Sequence, residues 1–410
     1  MARSNHSVSI VGSKAYIFGG EVDDGKLAST EVHAISLLPN KEAEEKGEHQ
    51  YALFPALAAG ETGGEAAARE ELSDGVPAAR SKHAACAFNV CVAVFGGSDS
   101  AGNAIDERGR IWLFNTAKST WEFLGPKVGE QNVPSPRTEG KLLEHDNDLI
   151  LHGGFGAAKE PLKDTWHFSY VDKIWTRLAD SPEAGTNASL ADGTLYLLTS
   201  SNADNGLSGS IHSLVISSPK DASHPAIWTT ATFPSNPLTP APKPRISGGT
   251  LPITTGHGRH YLLHFFGAKP DHPTPDASDK AGDPTQYPDL WTLQLPSNPR
   301  KRSASTTTQT VMEALRPAAI KDTIRGAFKA DPGTNGWAEV DVVSPQLDAV
   351  PDGEAGKVHP GPRAWFGSDV VRSEITGMGK EGGKGRTVVI WGGLNARGER
   401  EGDGWIVQLE

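Results

Sequence analysis

Five arginines recur along this chain in one local setting. A guanidinium is the side chain best suited to grip a carboxylate, a phosphate or a backbone carbonyl with a planar fork. They are Arg3 in Ala2-Arg3-Ser4-Asn5-His6, Arg80 in Pro77-Ala78-Ala79-Arg80-Ser81-Lys82-His83, Arg137 after Pro134-Ser135-Pro136, Arg245 after Pro242-Lys243-Pro244, and Arg363 after Pro360-Gly361-Pro362. Brought to one point of a fold, they form a cationic ring for an anionic ligand or for a partner's carboxylates. Kept apart, each caps carbonyls or pairs with an acid nearby. Trp365 adds an aromatic face to the same candidate ligand-binding mouth.

Other chemistry-bearing residues are sparse. His6 and His83 each stand three residues after an arginine, so repeat position accounts for them, as buried donors to backbone. Glu144, Asp148 and His152 are spaced by four, but on a strand such residues lie roughly 13 Å apart, too far to hold one ion. Ser247-Gly248-Gly249 lacks the strand-to-helix setting of a phosphate loop. No Gly-x-Ser-x-Gly elbow offers a nucleophile. These residues by themselves call for no cofactor.

The elements that position the arginines are legible from a repeat. Double glycines close apolar runs in Tyr16-Ile17-Phe18-Gly19-Gly20, Val94-Phe95-Gly96-Gly97, Leu151-His152-Gly153-Gly154 and Ile390-Trp391-Gly392-Gly393, with a degenerate copy in Phe265-Phe266-Gly267-Ala268. Each reads as a buried strand ending in a turn that needs positive φ. Downstream, in most copies, come an acid, a strand and a tryptophan; Trp112 with Trp121, and Trp166 with Trp175, keep a spacing of nine. The pattern resembles the kelch repeat, whose unit is a four-stranded blade of a β-propeller. The resemblance implies an all-β, six-bladed propeller forming a single domain over 1–410, with tryptophans packed between blades. The blades fall at 3–76, 77–133, 134–181, 182–239, 240–345 and 360–410. The fourth departs most: no arginine opens it and Leu197-Leu198-Thr199-Ser200-Ser201 replaces the glycines, although Trp228 is kept. The last ends in Trp405-Ile406-Val407-Gln408-Leu409, read as a third strand with no fourth visible, so packing between the first and last blades must close the ring.

Three insertions absorb the surplus length. Segment 41–74, with nine acidic and three basic residues, reads as a solvated loop or marginal helix, and 269–288 as an exposed loop. In 298–335, Ile320, Ile324 and Phe328 share one helical face and predict a short helix docked on the propeller.

Composition bounds the function. A net charge of −11 argues against nucleic acid or anionic lipid as partner, and no run is long and apolar enough for a membrane span. Two cysteines, Cys86 and Cys91, read as reduced thiols of core strands in a cytoplasmic protein. They stand in ordinary repeat strands, so the copper and cross-linked cysteine of galactose oxidase, which is built on such a propeller, are not expected.

A closer resemblance lies in Arg3-x-x-His6-Ser7 through Tyr16-Ile17-Phe18-Gly19-Gly20-Glu21, in Val171-Asp172-Lys173-x-Trp175, and in Pro362-Arg363-x-Trp365 with Trp391-Gly392-Gly393. These look like the plant nitrile- and thiocyanate-specifier proteins and their fungal relatives. That resemblance implies a lyase-type rearrangement supported by non-haem iron, Fe(II), held in a loop that corresponds to 200–212, where His212 and Asp204 are the residues able to ligate. The leading expectation is a binding module, taking a protein partner or a small anionic molecule at one mouth of the central channel. The alternative is a specifier-like lyase or isomerase at the same mouth.

Overall fold

A strand begins four residues after each of the five arginines. The computed structural model describes residues 1–22, 25–38, 50–59, 75–200, 209–216, 227–233, 241–254, 259–270, 285–296, 336–342, 359–372 and 385–409. Blade 1 comprises β1 (Ser7–Val11), β2 (Lys14–Phe18), β3 (Val32–Ser36) and β4 (Tyr51–Phe54). Blade 2 has β5 (Ala84–Phe88), β6 (Cys91–Phe95), β7 (Ile111–Asn115) and β8 (Thr120–Leu124). Blade 3 has β9 (Lys141–His145), β10 (Asp148–His152), β11 (Thr165–Ser169) and β12 (Ile174–Arg177). Blade 4 has β13 (Asn187–Ala191), β14 (Thr194–Ser200), β15 (Gly209–Val215) and β16 (Trp228–Phe233). Blade 5 has β17 (Gly249–Thr254), β18 (His260–Phe265), β19 (Leu290–Gln294) and β20 (Trp337–Glu339). Each is an antiparallel sheet in chain order.

In blade 6, β21 (Arg363–Ala364) pairs with β24 (Leu394–Asn395), while β22 (Gly367–Val370), β23 (Thr387–Trp391) and β25 (Gly404–Gln408) form a three-stranded sheet among the described residues. The all-β, six-bladed propeller read from the repeat is the fold. Its last main strand is the third, as the chain pattern indicated.

Blades cohere because neither face of a small sheet is buried alone. Six apolar clusters form, each between two adjacent blades, and one of them, with Val8, Ile10 and Ile17 against Val371 and Val389, joins blade 6 to blade 1. The tryptophans sit at these seams. Trp121 of blade 2 lies 4.9 Å from the ring of Phe18 in blade 1, and Trp175 of blade 3 reaches back to donate to the Gly109 carbonyl of blade 2 at 2.8 Å. Truncating such a buried indole to alanine costs about 3–5 kcal/mol.

Among the described residues, closure uses backbone bonds and side chains, including the Arg400–Glu21 ion pair at 3.3 Å, and no exchanged strand. Gly393 N donates to Arg3 O at 2.9 Å, Arg3 N to Glu401 O at 3.2 Å, and Ile10 N to Asp369 Oδ2 at 2.8 Å.

The insertion read at 41–74 is corrected in part. Residues 51–54 inside it are β4, the outer strand of blade 1, with alternate residues half-buried and exposed. Its acidic, alanine-rich flanks disguise that alternation. The rest of that insertion, most of 269–288, and all of 298–335 with its expected helix lie outside the described residues.

Candidate functional site

The five arginines are buried, and their forks bond inside their own blades, with the Nε of Arg3 left without a partner among the described residues. Arg80 Nη1 donates to Gly96 O at 3.0 Å, Arg137 Nη1 to Gly153 O at 3.1 Å, Arg245 Nη1 to Phe266 O at 3.0 Å and Arg363 Nη1 to Gly392 O at 2.9 Å. The same forks meet Glu107, Asp164, Asp289 and Asp403 at 2.6–2.8 Å. Each of those acids also accepts an indole N–H, from Trp112, Trp166, Trp291 and Trp405 respectively. Arginine, glycine carbonyl, acid and tryptophan thus make one repeated brace. Burial alone would raise the carboxyls of Asp164 and Asp289, but their arginine bonds override it and hold both below the usual aspartate value.

Blades 1 and 4, which face each other across the ring, carry variants of the brace. In blade 1, His33 stands at the tryptophan position. Arg3 Nη2 lies 2.9 Å from His33 Nε2, which must accept, so Nδ1 carries the proton and faces the Tyr51 hydroxyl at 2.8 Å. Burial and the Arg3 charge hold this imidazole neutral, at about 4. In blade 4 the exchange is larger: Glu183 occupies the arginine position and His212 the tryptophan position, 3.8 Å apart. His212 is also bonded to Thr199 Oγ1 at 3.0 Å and Thr230 Oγ1 at 2.8 Å.

The arginine carbonyls face outward from the brace and join the blades. Gly20 N, Gly97 N, Gly267 N and Gly393 N each donate to the arginine carbonyl of the next blade at 2.9 Å. A Cβ on Gly96 would stand 2.5 Å from Arg137 O, which is why glycine is required there. Blade 4 lacks the glycine pair, and the Asn187 side chain supplies the missing donor, reaching Arg245 O at 3.2 Å.

Two residues beyond each arginine the chain turns through the left-handed region: Asn5, Lys82, Glu139, Ser247 and Trp365 all have φ between 52 and 56°. Their peptide groups are linked around the axis. Asn5 N donates to Trp365 O at 2.8 Å, Lys82 N to Asn5 O at 2.9 Å, Glu139 N to Lys82 O at 2.7 Å and Trp365 N to Ser247 O at 3.1 Å. This hoop fixes the channel mouth, a cavity of about 110 Å³ to which all six blades contribute. Asn5, Lys82, Glu139, Lys141, Asn187 and Trp365 line it, and His6 and His83 stand behind them. A space of that size holds several waters or a small ligand.

The charges at the mouth are few. Lys82 is ion-paired with Glu139 at 3.2 Å. Lys141 is the exception among residues four beyond the arginine, where other blades carry Ser7, Ala84, Gly249 and Gly367. Its ammonium makes no hydrogen bond or ion pair among the described residues, and burial lowers its pKa from the ordinary lysine value while Glu139 opposes that effect. Burial, reinforced by the adjacent arginine, holds His6 and His83 neutral, at about 3.

The sequence reading is therefore redistributed. Trp365 lines the mouth. Among the described residues that line it, none of the five arginines appears; the lining is drawn from two to four positions after each. Arg245 borders a second cleft, of about 40 Å³, between blades 4 and 5. The sequence reading does not single out Asn5, Lys82, Glu139, Lys141 and Asn187, although Asn5, Lys82 and Glu139 share an offset of two residues from an arginine. Of the iron candidates, Asp204 lies outside the described residues. Both ring nitrogens of His212 already face threonine hydroxyls, and among the described residues no three His, Cys, Asp or Glu side chains converge as a metal site would need.

No family model matches the chain. A stretch of 199 residues, 48% of this chain, is 24% identical to the flagellar outer arm dynein alpha chain of Chlamydomonas reinhardtii, of which it spans only 4%. A solved structure described as that of YjhT superposes over 100% of this chain and 96% of its own, with a TM-score of 0.55 at 11% identity. The chain shares its propeller fold. At that identity the likeness speaks for the fold alone, and what the mouth does rests on its own residues.

Proposed function

We propose that this chain is a kelch-type binding propeller whose ligand, a small molecule bearing an anionic group, seats in the channel mouth. The observation that carries the reading is the Lys141 ammonium, half-buried in the lining of the cavity with no hydrogen bond or ion pair among the described residues. An anion there adds counter-charge to the single carboxylate, Glu139, that Lys82 and Lys141 have near them. Lys82, Asn5 and Asn187 add donors around it, and the half-buried Trp365 ring gives an apolar wall. In this reading Arg3, Arg80, Arg137, Arg245 and Arg363 serve the ligand at one remove, by bracing the loops that carry the lining. A protein partner that inserts an acidic side chain would use the same groups.

The specifier-like lyase, with iron on His212 and Asp204, is supported by no geometry comparable to the mouth's. Calorimetric titration of small carboxylates at low ionic strength tests the binding reading. A charge-assisted contact is worth about 1.5–3 kcal/mol, so Lys141→Met should weaken affinity by roughly 10- to 150-fold. Wild-type affinity in that variant, or no binding by any carboxylate, would overturn it.

A further inference from the structure

The hoop at the channel mouth is open at one place. Five residues, Asn5, Lys82, Glu139, Ser247 and Trp365, make four bonds, in which an N–H of one blade is given to a carbonyl of the blade before it. The series breaks at blade 4. No residue of 181–187 has a positive φ, and none makes a backbone bond to the hoop. Glu139 O and Ser247 N are therefore its two loose ends, with no hydrogen-bond partner among the described residues. Both residues line the cavity, as do Thr186 and Asn187 of the blade between them. Hoop residues stand one to a blade, so the gap is one residue wide, and a backbone donor and a backbone acceptor face it from opposite ends.

We propose that the ligand of the mouth is a free α-amino acid, which takes the sixth place in the hoop. The proposal rests on the anion-binding reading and names its ligand. A hoop residue spans its place with one amide nitrogen and one carbonyl oxygen, joined through Cα and C. A free amino acid carries a nitrogen and an oxygen at the same covalent separation. Its ammonium donates to Glu139 O, and its carboxylate accepts from Ser247 N–H. Both bonds are charge-assisted, and so are stronger than the neutral bonds elsewhere in the hoop. Lys82, Lys141 and the Glu139 carboxylate line the same cavity, so charges of both signs meet a zwitterion, whereas a simple carboxylate has no use for the acid. Trp365 and Phe366 line it too and give the ligand's side chain an apolar wall.

The test is calorimetric titration of the full chain at low ionic strength with three probes: L-alanine, propionate, and the trimethylated betaine of alanine. Alanine should bind at least about tenfold more tightly than propionate, which lacks the donor, and than the betaine, which keeps the positive charge but has no N–H. Glu139→Gln should weaken alanine and strengthen propionate, opposite signs that a general loss of structure would not produce. In spectra of protein labelled with nitrogen-15 serine, the Ser247 amide signal, identified by its absence from Ser247→Ala, should move as alanine saturates the site. Propionate binding as tightly as alanine overturns the proposal and leaves the anion site standing. Betaine binding as tightly as alanine, or an unmoved Ser247 signal, also overturns it. If none of the three binds, the proposal and the anion site fail together.

Discussion

Replacing Arg137 with methionine separates a bracing arginine from a ligand-touching one. The guanidinium is 1% exposed and its partner Asp164 12%, so neither is extensively screened by water. Two bonds to Asp164 at 2.8 Å, one to Gly153 O at 3.1 Å, and two to the exposed Ser135, at its carbonyl (3.1 Å) and hydroxyl (3.3 Å), are lost together. Breaking a buried pair from one side leaves an uncompensated charge and costs about 3–5 kcal/mol. Adding Asp164→Asn removes that charge but keeps an acceptor for the Trp166 indole. The double variant should therefore recover part of the loss, leaving the about 1–3 kcal/mol of an orphaned glycine carbonyl. Urea unfolding followed by tryptophan fluorescence reads both values as shifts in midpoint at constant slope. Carboxylate affinity per folded molecule should stay at the wild-type value. A single variant within about 0.5 kcal/mol of wild type, or a double variant no more stable than the single, would refute the brace. A fall in affinity without a fall in stability would return the arginines to the mouth.

Three further outcomes follow from the same geometry. Gly96→Ala combines φ of 62° with a Cβ 2.5 Å from Arg137 O, whereas Gly12→Ala has φ of 60° and open space; thermal unfolding should show the first much the worse, with the second costing about 1–2 kcal/mol. His6, His83 and His264 titrate at about 3 in the fold against 6.5 when unfolded, so the unfolded chain binds protons first as pH falls. Stability should drop progressively below pH 6.5, and the depressed carboxyls of Asp164 and Asp289 add a further loss below the ordinary aspartate value of 3.8; a flat urea midpoint between pH 7 and 4 would contradict this. Asp369→Leu leaves Ile10 N without its 2.8 Å acceptor at the seam of blades 6 and 1, and should destabilise by about 1–3 kcal/mol, with hydrogen exchange rising first in β1 and β22.

What the residues alone determined was the local repeat. Double glycines after apolar runs, an arginine upstream and a tryptophan downstream recur within a few dozen residues because every blade repeats the same contacts within itself and to its neighbour, so blade number and strand order could be read from them. Even the weak fourth blade was placed through Trp228, which binds Ala179 O of the preceding blade at 2.9 Å. The direction in which each side chain faces was decided only by closure of the ring. An arginine fork can grip a ligand or a carbonyl equally well, and its choice depended on where Gly96 O, Gly153 O and their acids came to lie. The mouth brings together Asn5, Lys82, Glu139, Lys141, Asn187 and Trp365, residues remote in sequence and different in type. No local pattern marks them, because what makes them a site is the angle between blades, and that angle exists only once six sheets have packed face to face around an axis.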